Sequence, residues 1–249
     1  MPLRLVSGEP ALFVEGDRGV LAISDLHLGY ERALEAKGVH VPEQTKKMTR
    51  RVLALREVTG AKRLVILGDI KHDIVGSSFY TAISVGSFFR EIGPSFEEVL
   101  VVPGNHDGGL SPLLPPSVRL SGPGGLALET SDGKVGFFHG HAHPSKAVSN
   151  AKVLVSGHHH LILGGQGGRQ GIWVRVTFDP PGHERTLIVM PAFNTLLTGV
   201  PASEFNPDRW KPILSELLPG DYRAEAFLMN GSKLGSLTDL AGRLLVDND

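Results

Sequence analysis

Most of the eleven histidines in this 249-residue sequence fall in five short clusters, each at the end of a stretch that reads as a β-strand. The clusters are Asp25-Leu26-His27, Gly68-Asp69 followed by His72-Asp73, Gly104-Asn105-His106-Asp107, His139-Gly140-His141 and Gly157-His158-His159-His160. Imidazole, carboxylate and carboxamide groups gathered at strand ends, with no cysteine among them, point to a site for two divalent metal ions. Two adjacent ions can both activate water and clamp a phosphate ester.

Taken singly, most clusters also have a structural reading. Asp25 and His27 are two residues apart and point to one side if the chain stays extended, but such residues also serve turns and caps. Aspartate after glycine, as at Gly68-Asp69, commonly caps a helix. Gly104-Asn105 has turn composition. The run His158-His159-His160 is more specific: three histidines at a strand end make poor core, and His158 and His160 can reach one centre from an extended backbone. Five such clusters in order make a concerted site the better reading.

The elements that must position these groups are legible as apolar runs bounded by turn residues. Val20 to Ile23, Leu64 to Leu67, Val99 to Val102, Val135 to Phe138 and Val153 to Val155 read as strands buried on both faces. Between the early strands, Glu43 to Thr59 sets Met48, Val52 and Leu55 at helical spacing, and Phe79 to Ile92 is a second helix. Strand–helix alternation over residues 20–102 predicts an α/β sheet with parallel elements. Past residue 118, short strands separated by glycine-rich turns predict hairpins of a mixed or antiparallel sheet, including Gly171 to Asp179 and Arg185 to Met190. A final helix is expected from Pro207 to Leu217, capped by Asn206.

Composition narrows the function classes. The net charge of −1 argues against a surface that embraces nucleic acid everywhere, while leaving room for a local basic groove. Zero cysteines exclude disulfides and thiolate-held zinc. Residues 1–8 lack the apolar core of a signal peptide, and no apolar stretch approaches a membrane span, so a cytoplasmic protein is expected.

The order Asp-x-His, Gly-Asp, Gly-Asn-His-Asp, His, Gly-His-x-His resembles the calcineurin-like metallophosphoesterase superfamily. Asp25 to Glu31, Gly68 to His72, His139 to Pro144 and Pro191-Ala192-Phe193-Asn194 are similar to its SbcD-related branch of prokaryotic, ligase-associated phosphoesterases. The resemblance implies an α/β fold: a four-layer α/β/β/α sandwich of two mixed sheets, with the metal site at the strands' carboxyl ends. One domain over residues 1–249 is expected, with its motif core at 20–160 and the remainder completing the second sheet. Carried over residue by residue, the resemblance assigns Asp25, His27 and His160 to one metal, Asn105, His139 and His158 to the other, and Asp69 to both. It further implies manganese and hydrolysis of phosphodiesters by a metal-bridging hydroxide. Iron, cobalt, nickel and zinc also suit oxygen and nitrogen ligands.

His106 is then placed to stabilise or protonate the departing alkoxide, with Asp107 as the partner that fixes its tautomer. His72 stands where many family members have an aspartate. In the fourth cluster either His139 or His141 can bind metal, and His139 is favoured because it directly follows a strand. His159, pointing the other way from its neighbours, reads as structural. Single-stranded nucleic acid or a nucleotide is the expected substrate or partner, with no membrane role. The rival from another class is a non-catalytic scaffold of the same fold that binds metal, which would be expected to lack the histidine or ligands present here.

Overall fold

The computed structural model describes residues 3–130, 133–164, 168–178, 185–204, 222–237 and 239–240. Its first sheet carries β1 (Leu3–Leu5), β2 (Leu12–Val14), β3 (Val20–Ser24), β4 (Arg63–Leu67), β5 (Glu98–Val102) and β6 (Val118–Leu120), side by side in that order. β3 to β6 are parallel, and β1 and β2 add an antiparallel edge. The crossovers carry α1 (Tyr30–Glu35), α2 (Thr45–Thr59) and α3 (Phe79–Ile92). Ser78 caps α3 by accepting a hydrogen bond from the Thr81 amide.

Successive side chains of a strand point to opposite faces, and both faces of this sheet are covered, which is why its strands are apolar throughout. Leu21, Ile23, Leu64, Ile66, Val99 and Val101 pack against Met48, Val52 and Leu55 of α2 and Phe88 and Phe89 of α3. The alternate residues Ala22, Val65, Leu67, Leu100 and Val102 pack the other way, against the second sheet. Fully burying a side chain such as Phe88 contributes about 1.5–3 kcal/mol.

The later chain lays down β7 (Leu126–Thr130), β8 (Gly133–Phe138), α4 (Lys146–Ser149), β9 (Val153–Ser156), β10 (Leu161–Leu163), β11 (Gln170–Gly171), β12 (Trp173–Phe178), β13 (Arg185–Val189), β14 (Val200–Pro201), β15 (Tyr222–Phe227) and β16 (Lys233–Ser236). The second large sheet has the order β16-β15-β12-β13-β9-β8-β7, and β11-β10-β14 form a small third sheet. Val135, Phe137, Val153, Val155 and Trp173 meet the first sheet across the shared core. The opposite face, with Phe138, Leu154, Val174, Val176 and Leu187, is covered by residues of α4, β10 and Leu237.

One expectation changes. Val118–Leu120 does not open the second sheet but pairs in parallel with β5, as the last strand of the first. The second sheet is mixed, as expected: β8, β9 and β13 run parallel, and its other strands pair as antiparallel neighbours. The helix expected at Pro207 to Leu217 and most of the C-terminal tail lie outside the described residues. Among the described residues, no helix is long and apolar enough to cross a membrane.

Candidate metal centre

β3 and β4 continue to pair beyond their regular ends. The Asp25 amide donates to Gly68 O at 3.1 Å, His27 to Asp69 O at 2.8 Å and Leu28 to Ile70 O at 2.8 Å. Inside this continuation Asp25, His27 and Asp69 have φ of 57°, 43° and 50°, and on the second sheet His158 and His160 have 73° and 44°. Among the described residues these five are the only non-glycine residues in left-handed backbone. Each such residue costs on the order of 1–3 kcal/mol and persists where surrounding structure or function demands it. The expectation that Asp25 with His27, and His158 with His160, reach a common centre from extended chain is therefore corrected. Both pairs do it from kinked backbone.

Close approach requires two glycines here. A Cβ at Gly68 would overlap the His139 ring, and one at Gly104 would overlap the Asp69 carboxylate.

The side chains converge as two groups that share a member. Asp25, His27, Asp69 and His160 each bring one ligand atom within 4.8 Å of the others, and so do Asp69, His139 and His158. Asp69 divides its oxygens between them: Oδ2 lies 3.3 Å from His27 Nε2, and Oδ1 lies 3.5 Å from His139 Nε2. His160 Nε2 lies 2.9 Å from Asp25 Oδ1. All three Nε2 atoms are buried, and none has a hydrogen bond of good geometry despite the nearby oxygen. An unsatisfied buried polar atom costs about 1–3 kcal/mol, so three facing the same two carboxylates need a common explanation. Nitrogen and oxygen atoms aimed at one another in this way fit divalent cations, which take both as ligands. His139 Nδ1 lies 2.8 Å from Leu67 O, which can only accept, so Nδ1 carries a proton and Nε2 is left for the centre.

Electrostatics agrees with that fit. Burial pushes the Asp25 carboxyl up, but His160 and then His139 outweigh it and hold its pKa at about 2. The same contest, won by His139 and His27, takes Asp69 well below the usual carboxylate range. Burial opposes a charge on His139, yet Asp69 and Asp25 raise its pKa to about 9, and Asp25 likewise raises His160. Burial, then neighbouring His139, lowers His158 to about 4. The raised proton affinity of His139 and His160 beside these carboxylates marks a demand for positive charge that a cation would also meet, and cation binding expels such protons.

Around this pair of groups, His106 takes its amide to Asp69 Oδ1 at 2.9 Å. Its ring Nδ1 lies 2.6 Å from the His72 carbonyl oxygen, so Nδ1 carries the proton and Nε2 remains free. This corrects the role given to Asp107. Both Asp107 oxygens are taken by backbone amides, Oδ1 by Ile70 (2.9 Å) and Lys71 (3.3 Å) and Oδ2 by Gly104 (2.8 Å). Asp107 clamps the turn that carries Asn105 and His106 to the end of β4. It does not reach the His106 ring. Asn105 is exposed between Gly104 and His106, both of which touch Asp69.

His72 stands behind the ligand groups, its Nδ1 3.3 Å from His27 Nδ1, with Tyr30 edge-on at 4.7 Å. Burial, then His27 and His106, lowers His72 to about 4, so it is a neutral acceptor for the His27 Nδ1 proton. His27, His72 and His106 also bring ring nitrogens within 4.8 Å of one another. His141 lies outside both ligand groups, its ring 5.2 Å from that of His139. His159 packs edge-on to His158.

Two contributors were marked in the sequence only by the motifs that contain them. Asn194 is buried, and its Nδ2 donates to Leu26 O at 2.9 Å, pinning the Asp25–His27 segment from the far end of the chain. Lys71 is completely buried and reaches the Asp73 carbonyl. Its place in the Gly68 to His72 motif was the only pointer.

Comparison with known proteins gives the same fold. The family model for calcineurin-like phosphoesterases matches residues 19–171. No curated protein matches the chain significantly. Among solved structures, a Pseudomonas putida nuclease, MPE, is similar at a TM-score of 0.55 and 20% identity, with 89% of each chain covered. YfcE, a phosphoesterase from E. coli, aligns at a TM-score of 0.45 and 19% identity over 87% of this chain and 97% of its own. An archaeal phosphodiesterase aligns at 0.38 and 14%, over 73% and 88%.

Proposed function

Because this chain belongs to the calcineurin-like phosphoesterase family, we propose that it is a phosphodiesterase that works with two divalent metal ions. The observation that carries this reading is the set of three buried, unbonded Nε2 atoms of His27, His139 and His160 facing the carboxylates of Asp25 and Asp69. Asp25, His27 and His160 would hold one ion and Asn105, His139 and His158 the other, with Asp69 shared through its two oxygens. When bound, such ions supply Lewis acidity and lower the pKa of water to make a nucleophile at neutral pH. Oxygen and nitrogen donors without sulfur suit manganese, the metal we carry forward.

The chain's own residues then divide the remaining work. Asp25 and Asp69 bring only two negative charges, and the neutral Asn105 carboxamide adds none, so a loaded centre keeps a positive excess for a phosphate anion. His106, its Nδ1 proton held by the His72 carbonyl, would serve as general acid when doubly protonated, giving the Nε2 proton to the departing alkoxide and returning to the neutral ring. Asp107 holds the turn that aims it. Ligands drawn from residues 25 to 160, with Asn194 as a brace, support treating residues 1–249 as one catalytic domain. The similar Pseudomonas putida protein is a nuclease, and on that likeness we extend the substrate class to nucleic acid.

The test is hydrolysis of bis(p-nitrophenyl) phosphate by the purified chain with added manganese. Turnover should vanish on chelation and fall about 10²–10⁴-fold in His106→Ala, the usual contribution of a general acid. Undiminished turnover in His106→Ala and in Asp69→Asn would defeat the mechanism.

A further inference from the structure

A pocket of about 450 Å³ opens beside the ligand groups and shares His160 with them. It belongs to the same end of the molecule as the metal centre. The β1–β2 turn joins the pocket from the end of β3 that carries Asp25, because Leu12 pairs with Ala22. The β15–β16 turn arrives at that end too, because Phe227 pairs with Trp173 at the edge of the second sheet. Across the mouth the order is fixed by ring contacts. His106 lies 4.7 Å from His27, His27 lies 5.5 Å from His160, and the pocket begins beyond His160.

That order assigns the two arms of a phosphodiester. The arm that receives a proton from His106 leaves on the His106 side, the attacking oxygen takes the opposite apical position, and the retained arm is equatorial, where the open space bordered by His160 is the pocket. The pocket's volume matches a nucleoside-sized group. Its walls combine the apolar surfaces of Pro191, Leu197 and Met229 with two guanidinium groups. Arg51 is pre-set: it bonds Glu9 and the Phe193 carbonyl and lies 4.6 Å over the Phe193 ring. Arg169 is exposed and has no ion-pair partner among the described residues. A guanidinium is the side chain best matched to a phosphate, which it can hold through paired N–H donors.

We propose that this pocket is a subsite for the retained nucleotide of a polynucleotide, with Arg169 binding the next phosphate along the strand. It rests on the phosphodiesterase reading and narrows it: a strand with a second phosphate on the retained side is preferred over an isolated diester. Cyclic nucleotides, which lack that phosphate, gain nothing from Arg169.

The test compares the full-length chain with Arg169→Glu and Thr195→Trp, the latter an exposed pocket-wall position where a bulky ring fills the space. Substrates are a single-stranded oligodeoxynucleotide and bis(p-nitrophenyl) phosphate, both with manganese. For each variant the loss in kcat/KM on the oligonucleotide should exceed the loss on the aryl diester by about tenfold, carried by KM. Removing one phosphate contact should also make oligonucleotide binding, read by fluorescence anisotropy, shallower in log–log salt dependence by about 0.7. Equal losses on both substrates, or unchanged oligonucleotide binding in both variants, would overturn the subsite. If the wild type hydrolyses neither substrate, the phosphodiesterase reading fails, and anisotropy still judges the pocket on its own.

Discussion

The two sheets meet at the candidate metal centre with unequal chemistry. The first contributes the buried carboxylates Asp25 and Asp69, with His27 beside them, beyond the ends of β3 and β4, and the second contributes only imidazoles, His139, His158 and His160, from beyond the ends of β8 and β9. Buried carboxylates need positive charge close by, and the imidazoles that supply it reach them only because Val65, Leu67 and Val102 pack against Val135, Phe137 and Val155. Sheet packing and site assembly are therefore one event. Most of the ligands on both sides leave their strands through left-handed backbone, while His139 is aimed by a hydrogen bond to the opposite sheet.

The largest test of this pairing is Asp69→Ala. It removes the one group common to both ligand sets and the acceptor of the His106 amide. Metal binding and turnover should both fall beyond detection, by calorimetric titration with manganese and by aryl diester hydrolysis. Next comes a contrast within the second sheet. His139→Gln should weaken binding of one equivalent of metal by about 10²-fold or more, whereas His141→Gln, outside both ligand groups, should change it less than about tenfold. Equal effects would move the ligand role to His141. Smaller again is Asp107→Ala, which frees the Asn105–His106 turn without touching the His106 ring. It should lower kcat by about tenfold to a hundredfold through misplacement, leaving the pH of half-maximal activity where it was. A shifted pH profile would restore Asp107 as a direct partner of His106.

The smallest effect is in the metal-free protein's stability. His139, with its pKa raised to about 9, stabilises the fold below pH 6.5, and that stability is lost as pH rises through 9. His72 and His158, lowered to about 4, act oppositely, and their stability is lost as pH falls from 6.5 towards 4. Denaturation in chelator should thus be hardest near pH 6.5, and saturating manganese should flatten the alkaline side because the metal takes the place of the His139 proton. An alkaline limb unaltered by manganese would separate His139 from the metal.

The sequence displayed much of this because doubly buried parallel strands leave an unbroken apolar run, and ligand types stand out at their ends. β3, β4, β5, β8 and β9 are legible for that reason. β1, β2 and β6 are not, since three-residue strands have too few side chains to show a period. The short helix α1 was hidden because it starts inside a ligand motif, its first residue Tyr30 directly after Gly29. Left-handed backbone at Asp25, His27, Asp69, His158 and His160 is hard to read for a different reason: aspartate and histidine are enriched there, yet most copies of both keep ordinary backbone, and neighbouring structure decides which do not. The reading of Asp107 fails for the same reason. Its place beside His106 in the chain suggests a ring partner, but the amides of Ile70, Lys71 and Gly104 take the carboxylate.

One measurement bears most directly on the central claim: anomalous diffraction from crystals grown with manganese. Two peaks about 3.5–4 Å apart, the usual spacing of paired ions, should appear on either side of the Asp69 carboxylate, one near Asp25, His27 and His160 and the other near His139 and His158. A single ion, or a pair that leaves Asp69 untouched, would contradict the account.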